Sequence, residues 1–165
     1  MSGVGPLKRL TLWVRDAEAS LALYRDLLGL EVIEDKLLEG VAVAALLGLE
    51  AGRLRIVHLA SGGRQDGWIG LYELSAARPA PPELAPPDPR RFAYGQAVAV
   101  FETNDMDTLL ARLQRGGYHF MQPPIEYVKR TGAGPTPAGR YREASFLDPD
   151  GVPVSLIQYE PLPDA

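Results

Sequence analysis

The sequence predicts an α+β fold in which two βαβββ modules pair into a curved, half-barrel sheet with their helices outside. Three observations carry that expectation. An alternating segment, an acidic cap and an amphipathic helix follow one another near Leu10 and again near Val98. Each helix is followed by short segments that read as strands. Between the copies, Pro79 to Pro89 holds six of the fifteen prolines in eleven residues and keeps no apolar periodicity, so it reads as a linker. The expected division is residues 1-77 for the first module, 78-92 for the linker and 93-165 for the second module.

Taken in order, Arg9 to Val14 alternates as a strand, Asp16 is an N-cap, and Leu21, Tyr24, Leu27 and Leu28 recur at helical spacing until Gly29 stops the helix. Segments readable as strands follow at Glu31 to Glu34, Val41 to Leu47, Leu54 to Leu59 and Ile69 to Leu74. The second copy has a strand at Val98 to Thr103, a cap at Asp105, a stripe of Met106, Leu109, Leu110 and Leu113, and a stop at Gly116 and Gly117. Its later strands are expected at Tyr118 to Met121, Ile125 to Val128, Arg142 to Leu147 and Val154 to Tyr159. Asp148-Pro149-Asp150-Gly151 supplies hairpin-turn chemistry between the last two. Helices cover one face of each sheet, and pairing of the modules would leave the other face around a cavity.

Composition narrows the function. With 46% hydrophobic and 23% charged residues, the chain is an ordinary globular one. Seventeen Lys and Arg against 21 Asp and Glu give a net charge of -4, which makes a nucleic-acid partner a poor expectation. The absence of cysteine excludes disulfides, thiolate nucleophiles and zinc-cysteine or iron-sulfur sites. Met1 to Pro6 lacks signal-peptide character, and the longest apolar run, Gly40 to Leu49, is too short to span a membrane. A cytoplasmic protein with no membrane partner is the expectation.

Two segments, Leu10 to Val32 and Arg142 to Glu160, with their DxxxSLxxYRDLLGL and DPDG elements, resemble the first and last signatures of the vicinal oxygen chelate superfamily. These are the glyoxalase, bleomycin-resistance and extradiol-dioxygenase relatives. The resemblance covers roughly residues 6 to 74 and 93 to 161. It implies a homodimer and, in the enzymes, one divalent metal held by a His or Gln on the first strand and a Glu on the last strand of each module. Seven residues before Asp16 stands Arg9, and seven before Asp105 stands Val98. Four beyond Gly151 stands Ser155, and the first-module equivalent is Gly70 or Leu71. No metal is therefore expected, since a guanidinium at the ion's place repels a divalent cation. A register change bringing Gln96 and Glu73 inward is the alternative, and it leaves Arg9 and Ser155 in place.

Strand alternation groups Arg9, Thr11 and Trp13 away from the aliphatic Leu10, Leu12 and Val14, which should meet the helix. Arginine and tryptophan together suit an anionic or aromatic ligand. Arg9 pairing with an acid such as Glu102 is the alternative. Gln96, Val98, Val100 and Glu102 share a second face, and the resemblance turns Ser155, Ile157 and Tyr159 inward. The expected ligand-binding set is Arg9, Thr11, Trp13, Gln96, Val98, Ser155 and Tyr159, with Arg9, His58 and Glu102 the candidates for catalysis. His119 has no motif partner and reads as structural. The basic stretch from Glu126 to Arg142 reads either as a lid or as a solvated loop.

The function expected is a metal-free and cofactor-free protein that binds a hydrophobic or aromatic, or anionic, small molecule between the modules. The first alternative is a metal-independent isomerase or lyase in which Arg9 stabilises developing charge. Further alternatives are a metal-dependent glyoxalase or dioxygenase, and a subunit whose faces serve assembly.

Overall fold

The structure, a computed structural model, describes residues 5–64, 67–82, 88 and 93–162, the side chain of residue 42 excepted. Asp66, Met1 to Val4, and positions 83–87 and 89–92 of the expected linker lie outside the described residues. The chain divides into two compact units, Met1–Ala85 and Pro86–Ala165.

The first unit runs β1 (Arg9–Val14), α1 (Ala17–Leu21), a π-helical turn (Ala22–Leu27), β2 (Glu31–Glu39), α2 (Val41–Leu46), β3 (Ala51–Ala60) and β4 (Trp68–Arg78). Its sheet has the order β1-β4-β3-β2, with β1 parallel to β4 and the other pairs antiparallel. Asp16 caps α1 by accepting from the amides of Glu18 at 2.9 Å and Ala19 at 3.3 Å. Leu12, Val14, Val57, Leu59, Ile69 and Leu71 are buried, as are Leu21, Leu23 and Tyr24 of the helical segment. One period-2 face of the sheet thus meets one helical stripe.

The second unit repeats the order as β5 (Ala99–Glu102), α3 (Met106–Arg115), β6 (Ile125–Lys129), β7 (Gly139–Leu147) and β8 (Pro153–Glu160), in a sheet ordered β5-β8-β7-β6. Met106 and Leu113 of α3 are buried with Ala144, Phe146, Val154 and Leu156 of the sheet. Asp148 builds the β7–β8 turn by accepting from the amides of Asp150 at 2.9 Å and Val152 at 2.7 Å, and Gly151 supplies the positive φ of 87°.

The duplication extends to a polar network at each helix start. Glu73 of β4 accepts from the Ala17 amide at 3.0 Å, and Gln158 of β8 accepts from the Met106 amide at 2.9 Å. Arg55 of β3 reaches Glu18 and Asp35, and Arg142 of β7 reaches Asp107 and Glu126. A last-strand side chain satisfies an orphan helix amide while a middle-strand arginine pairs with an acid of the first turn.

Four expectations are corrected. Val41 to Leu47 is not a strand: β2 and β3 already pair along their lengths, so the segment joining them is free to close as the short helix α2. Tyr118 to Met121 makes only an isolated bridge, Phe120 to Phe146, because Pro123 and Pro124 follow and cannot donate to a ladder. The first helix buries Leu21, Leu23 and Tyr24, with Leu27 and Leu28 only half-buried, because the π turn shifts its phase. The basic connection is shorter than Glu126 to Arg142, since β6 and β7 take both ends. Lys129 is tied to the Thr136 hydroxyl there, and Arg142 turns to the helix side.

Candidate functional site

On the face of the first sheet away from α1, strand register lines up side chains from all four strands. Arg9, Thr11 and Trp13 stand beside Trp68, Gly70 and Tyr72. Gly70 and Tyr72 in turn stand beside His58 and Ile56, which face Glu34 and Lys36. Trp13 is 53% exposed and meets Tyr72 edge-on with ring centroids 5.6 Å apart. The Arg9 guanidinium lies 5.6 Å from the Tyr72 ring centre, and its Nε donates to Thr11 Oγ1 at 3.3 Å. Lys8 Nζ sits 4.2 Å from the centre of Trp68, whose own N–H donates to the Arg64 carbonyl at 2.9 Å. The result is an aromatic platform with cations at its rim.

His58 is its buried polar member, 5% exposed. Its Nδ1 lies 2.7 Å from Glu34 Oε2, its Nε2 lies 3.5 Å from the Tyr72 hydroxyl, and its ring is 5.7 Å from that of Trp68. Lys36 donates to the other Glu34 oxygen at 2.8 Å and holds that carboxyl below its ordinary range. Burial lowers the His58 pKa from its ordinary 6.5, and Glu34 pulls it the other way without prevailing.

In the second unit Ser155 is 8% exposed and accepts from Ser145 Oγ at 3.2 Å. Tyr159 donates to the Ala138 carbonyl at 3.1 Å and packs on Tyr141, which stacks on Tyr127 with 5.3 Å between centroids in each pair. Tyr127 donates to Glu143, and that bond pushes its pKa up to about 12. Glu102 ends β5 in register with Ile157. Val98 precedes β5, and Gln96 lies in the turn before it, its Oε1 accepting from the Ala93 amide at 3.1 Å.

The structure therefore gathers Arg9, Thr11, Trp13 and His58 on one face, and Glu102, Ser155 and Tyr159 on one face of the other unit. Gln96 and Val98 stand in the segment leading into β5. Sequence reasoning missed Glu34, Trp68 and Tyr72. The alternation of Trp68, Gly70 and Tyr72 along β4 was a signal for two of them.

A divalent metal of the kind the resemblance implies has to be held by the side chains present at the four matching positions. Register puts Gly70 opposite Thr11 and so on the platform face, and Leu71 opposite Leu12 on the buried one. The matching positions thus offer a guanidinium, no side chain, an aliphatic and a hydroxyl, which do not fit a divalent cation. Glu73 is spent on the α1 terminus and Gln96 on its own turn, so neither replaces the missing donors. Among the described residues, no group of three or more His, Asp or Glu side chains is placed to hold an ion.

No curated protein matches the chain. Solved structures resemble it over nearly its whole length. A glyoxalase family protein from Bacillus cereus has 17% identity and a TM-score of 0.70, with 96% of each chain covered. A glyoxalase/dioxygenase from Nostoc punctiforme has 19% identity and a TM-score of 0.59, covering 97% of this chain and 98% of its own. An antibiotic binding protein from Streptomyces sp. CB03234 has 21% identity and a TM-score of 0.52, covering 97% of this chain and 100% of its own. At these identities the likeness is one of fold. The family model of the Glyoxalase/Bleomycin resistance protein/Dioxygenase superfamily matches residues 7–156, and with the duplicated βαβββ order it establishes that the chain belongs to that superfamily.

Proposed function

We propose that this chain is a metal-free small-molecule binding protein that holds an aromatic, anionic ligand on the platform of the first unit. The observation that carries the reading is the convergence of Arg9, Trp13 and Tyr72 beside the side-chain-free Gly70. The rings offer π faces and edges to an aromatic ligand, and the guanidinium offers charge-assisted hydrogen bonds to its carboxylate. Lys8 adds positive charge to that of Arg9 on a chain whose net charge is -4, so an anion is drawn to this face in particular. That an antibiotic binding protein has this fold supports a binding role.

Both tryptophans of the chain, Trp13 and Trp68, belong to the platform, so intrinsic fluorescence reports on it directly. Titration with naphthoate and indole-acetate is expected to quench it saturably, and the matching neutral amides should bind more weakly. Arg9→Gln should weaken the acids by about 1.5–3 kcal/mol, the worth of a hydrogen bond to a charged group. Absence of saturable quenching by every aromatic acid sinks the reading; amides that bind as well as acids remove its anionic half.

A further inference from the structure

A bulge in β2 decides what stands beside His58. Val32 pairs with Leu59 and Glu34 with His58, so Ile33 is the extra residue. An unbulged register would put Ile33 against the imidazole; the bulge delivers a carboxylate instead. Glu34 only accepts hydrogen bonds, so at 2.7 Å the hydrogen sits on His58 Nδ1. The other nitrogen, Nε2, keeps its lone pair and faces the Tyr72 hydroxyl at 3.5 Å. Lys36 holds the second Glu34 oxygen, which fixes the carboxylate in place. The arrangement is a carboxylate, an oriented imidazole and a phenol in series, ending on the platform beneath Arg9.

We propose that Glu34, His58 and Tyr72 form a proton relay that enolises an aromatic carbonyl acid bound on the platform, a metal-independent activity that rests on the binding reading above. The ligand's carboxylate and carbonyl oxygen face Arg9, and an acidic C–H lies next to the carbonyl. That C–H proton passes to Tyr72 Oη while the Tyr72 hydroxyl proton passes to His58 Nε2. The C–H electron pair becomes the C=C bond of the enolate, and the carbonyl π pair moves onto the oxygen opposite Arg9. Glu34 balances the imidazolium, and return of a proton to carbon closes the cycle without any oxidant or reductant. Tyr72 is the catalytic residue; His58 and Glu34 are positioning residues that act through it.

Among the described residues, the charged and titratable groups facing His58 are Glu34 and Lys36 from β2, Arg9 from β1 and Tyr72 from β4. Burial, with Arg9 and Lys36, favours the neutral imidazole the relay needs, so exchange should be flat at neutral pH and fall in acid as His58 protonates.

The test combines ¹⁵N NMR of the imidazoles with hydrogen–deuterium exchange at C3 of 2-oxo-4-phenylbutanoate in D2O, binding being followed by tryptophan fluorescence. The expected result is a neutral His58 protonated on Nδ1 at pH 7 and enzyme-dependent deuteration. Tyr72→Phe, which keeps the ring, and His58→Gln should lose about 100-fold or more in kcat with little change in KM. Glu34→Gln should shift the pH profile of exchange. Absence of binding overturns the binding reading. Binding without exchange, or exchange undiminished in His58→Gln, overturns the relay alone. A His58 protonated on Nε2 at pH 7 overturns the relay whether or not the acid binds.

Discussion

Gly70 sits where three side chains of the platform face meet. A Cβ built on it would lie 3.1 Å from the Tyr72 ring, 3.4 Å from His58 and 3.5 Å from Arg9. A methyl group there presses on movable side-chain atoms, whereas a long carboxylate needs the space the ligand is proposed to use. Gly70→Glu, which restores a family-type carboxylate, is expected to pair with Arg9 and abolish quenching by aromatic acids, without creating a metal site that elemental analysis detects. Ser20 poses a different residue-scale question. It is fully buried in α1 and, among the described residues, its hydroxyl has no hydrogen-bond partner. Removing an unsatisfied buried hydroxyl, and gaining alanine's helix propensity, should make Ser20→Ala more stable by about 1 kcal/mol, read from the urea midpoint.

Among the elements, the β7–β8 edge depends on another glycine. A Cβ at Gly139 would clash with the Cε2–Cδ2 edge of the Tyr159 ring and lie 2.7 Å from the Glu160 carbonyl oxygen. Gly139→Ala should therefore cost about 1–3 kcal/mol, as overpacking does, and displace Tyr159 from Tyr141. Calorimetry with the near-UV tyrosine signal measures both. The β2 bulge works at the same scale: one extra residue at Ile33 turns Glu34 onto the platform, and pattern reading of Glu31 to Glu34 contains no mark of it.

Across the molecule, charge sets the response to pH. Glu34, Asp35 and Asp107 are each held below their ordinary pKa by a partner cation, Lys36, Arg55 and Arg142 respectively. Their unfolded forms bind protons first, so the stability these pairs contribute is present above the ordinary carboxyl range and lost as pH falls through the lowered values. His58 acts in the same direction. Its burial leaves the unfolded chain protonating first, so stability declines as pH drops below 6.5 towards the lowered folded value. The melting temperature should thus fall in two stages on acidification, near pH 6 and again below about pH 4.5. His58→Gln should remove the upper stage and leave the lower one. No helix among the described residues is long and apolar enough to cross a membrane.

What the sequence determined by itself is local. Caps at Asp16 and Asp105, the Asp148 turn, the repeated helix stripes and period-2 faces are properties of a few neighbouring residues, so the βαβββ order and the shared strand face of Arg9, Thr11 and Trp13 were readable. The tertiary structure alone decided register and phase. It placed Gly70 rather than Leu71 on the face of Arg9 and Thr11, turned Glu34 to His58 through a bulge, and used Glu73 to cap a helix. It also made a helix of Val41–Leu46. The physical reason is that a one-residue shift sends every following side chain of a strand to the opposite face, and that shift is chosen by partners distant in the chain, His58 for Glu34 and Thr11 for Gly70, which no short window contains.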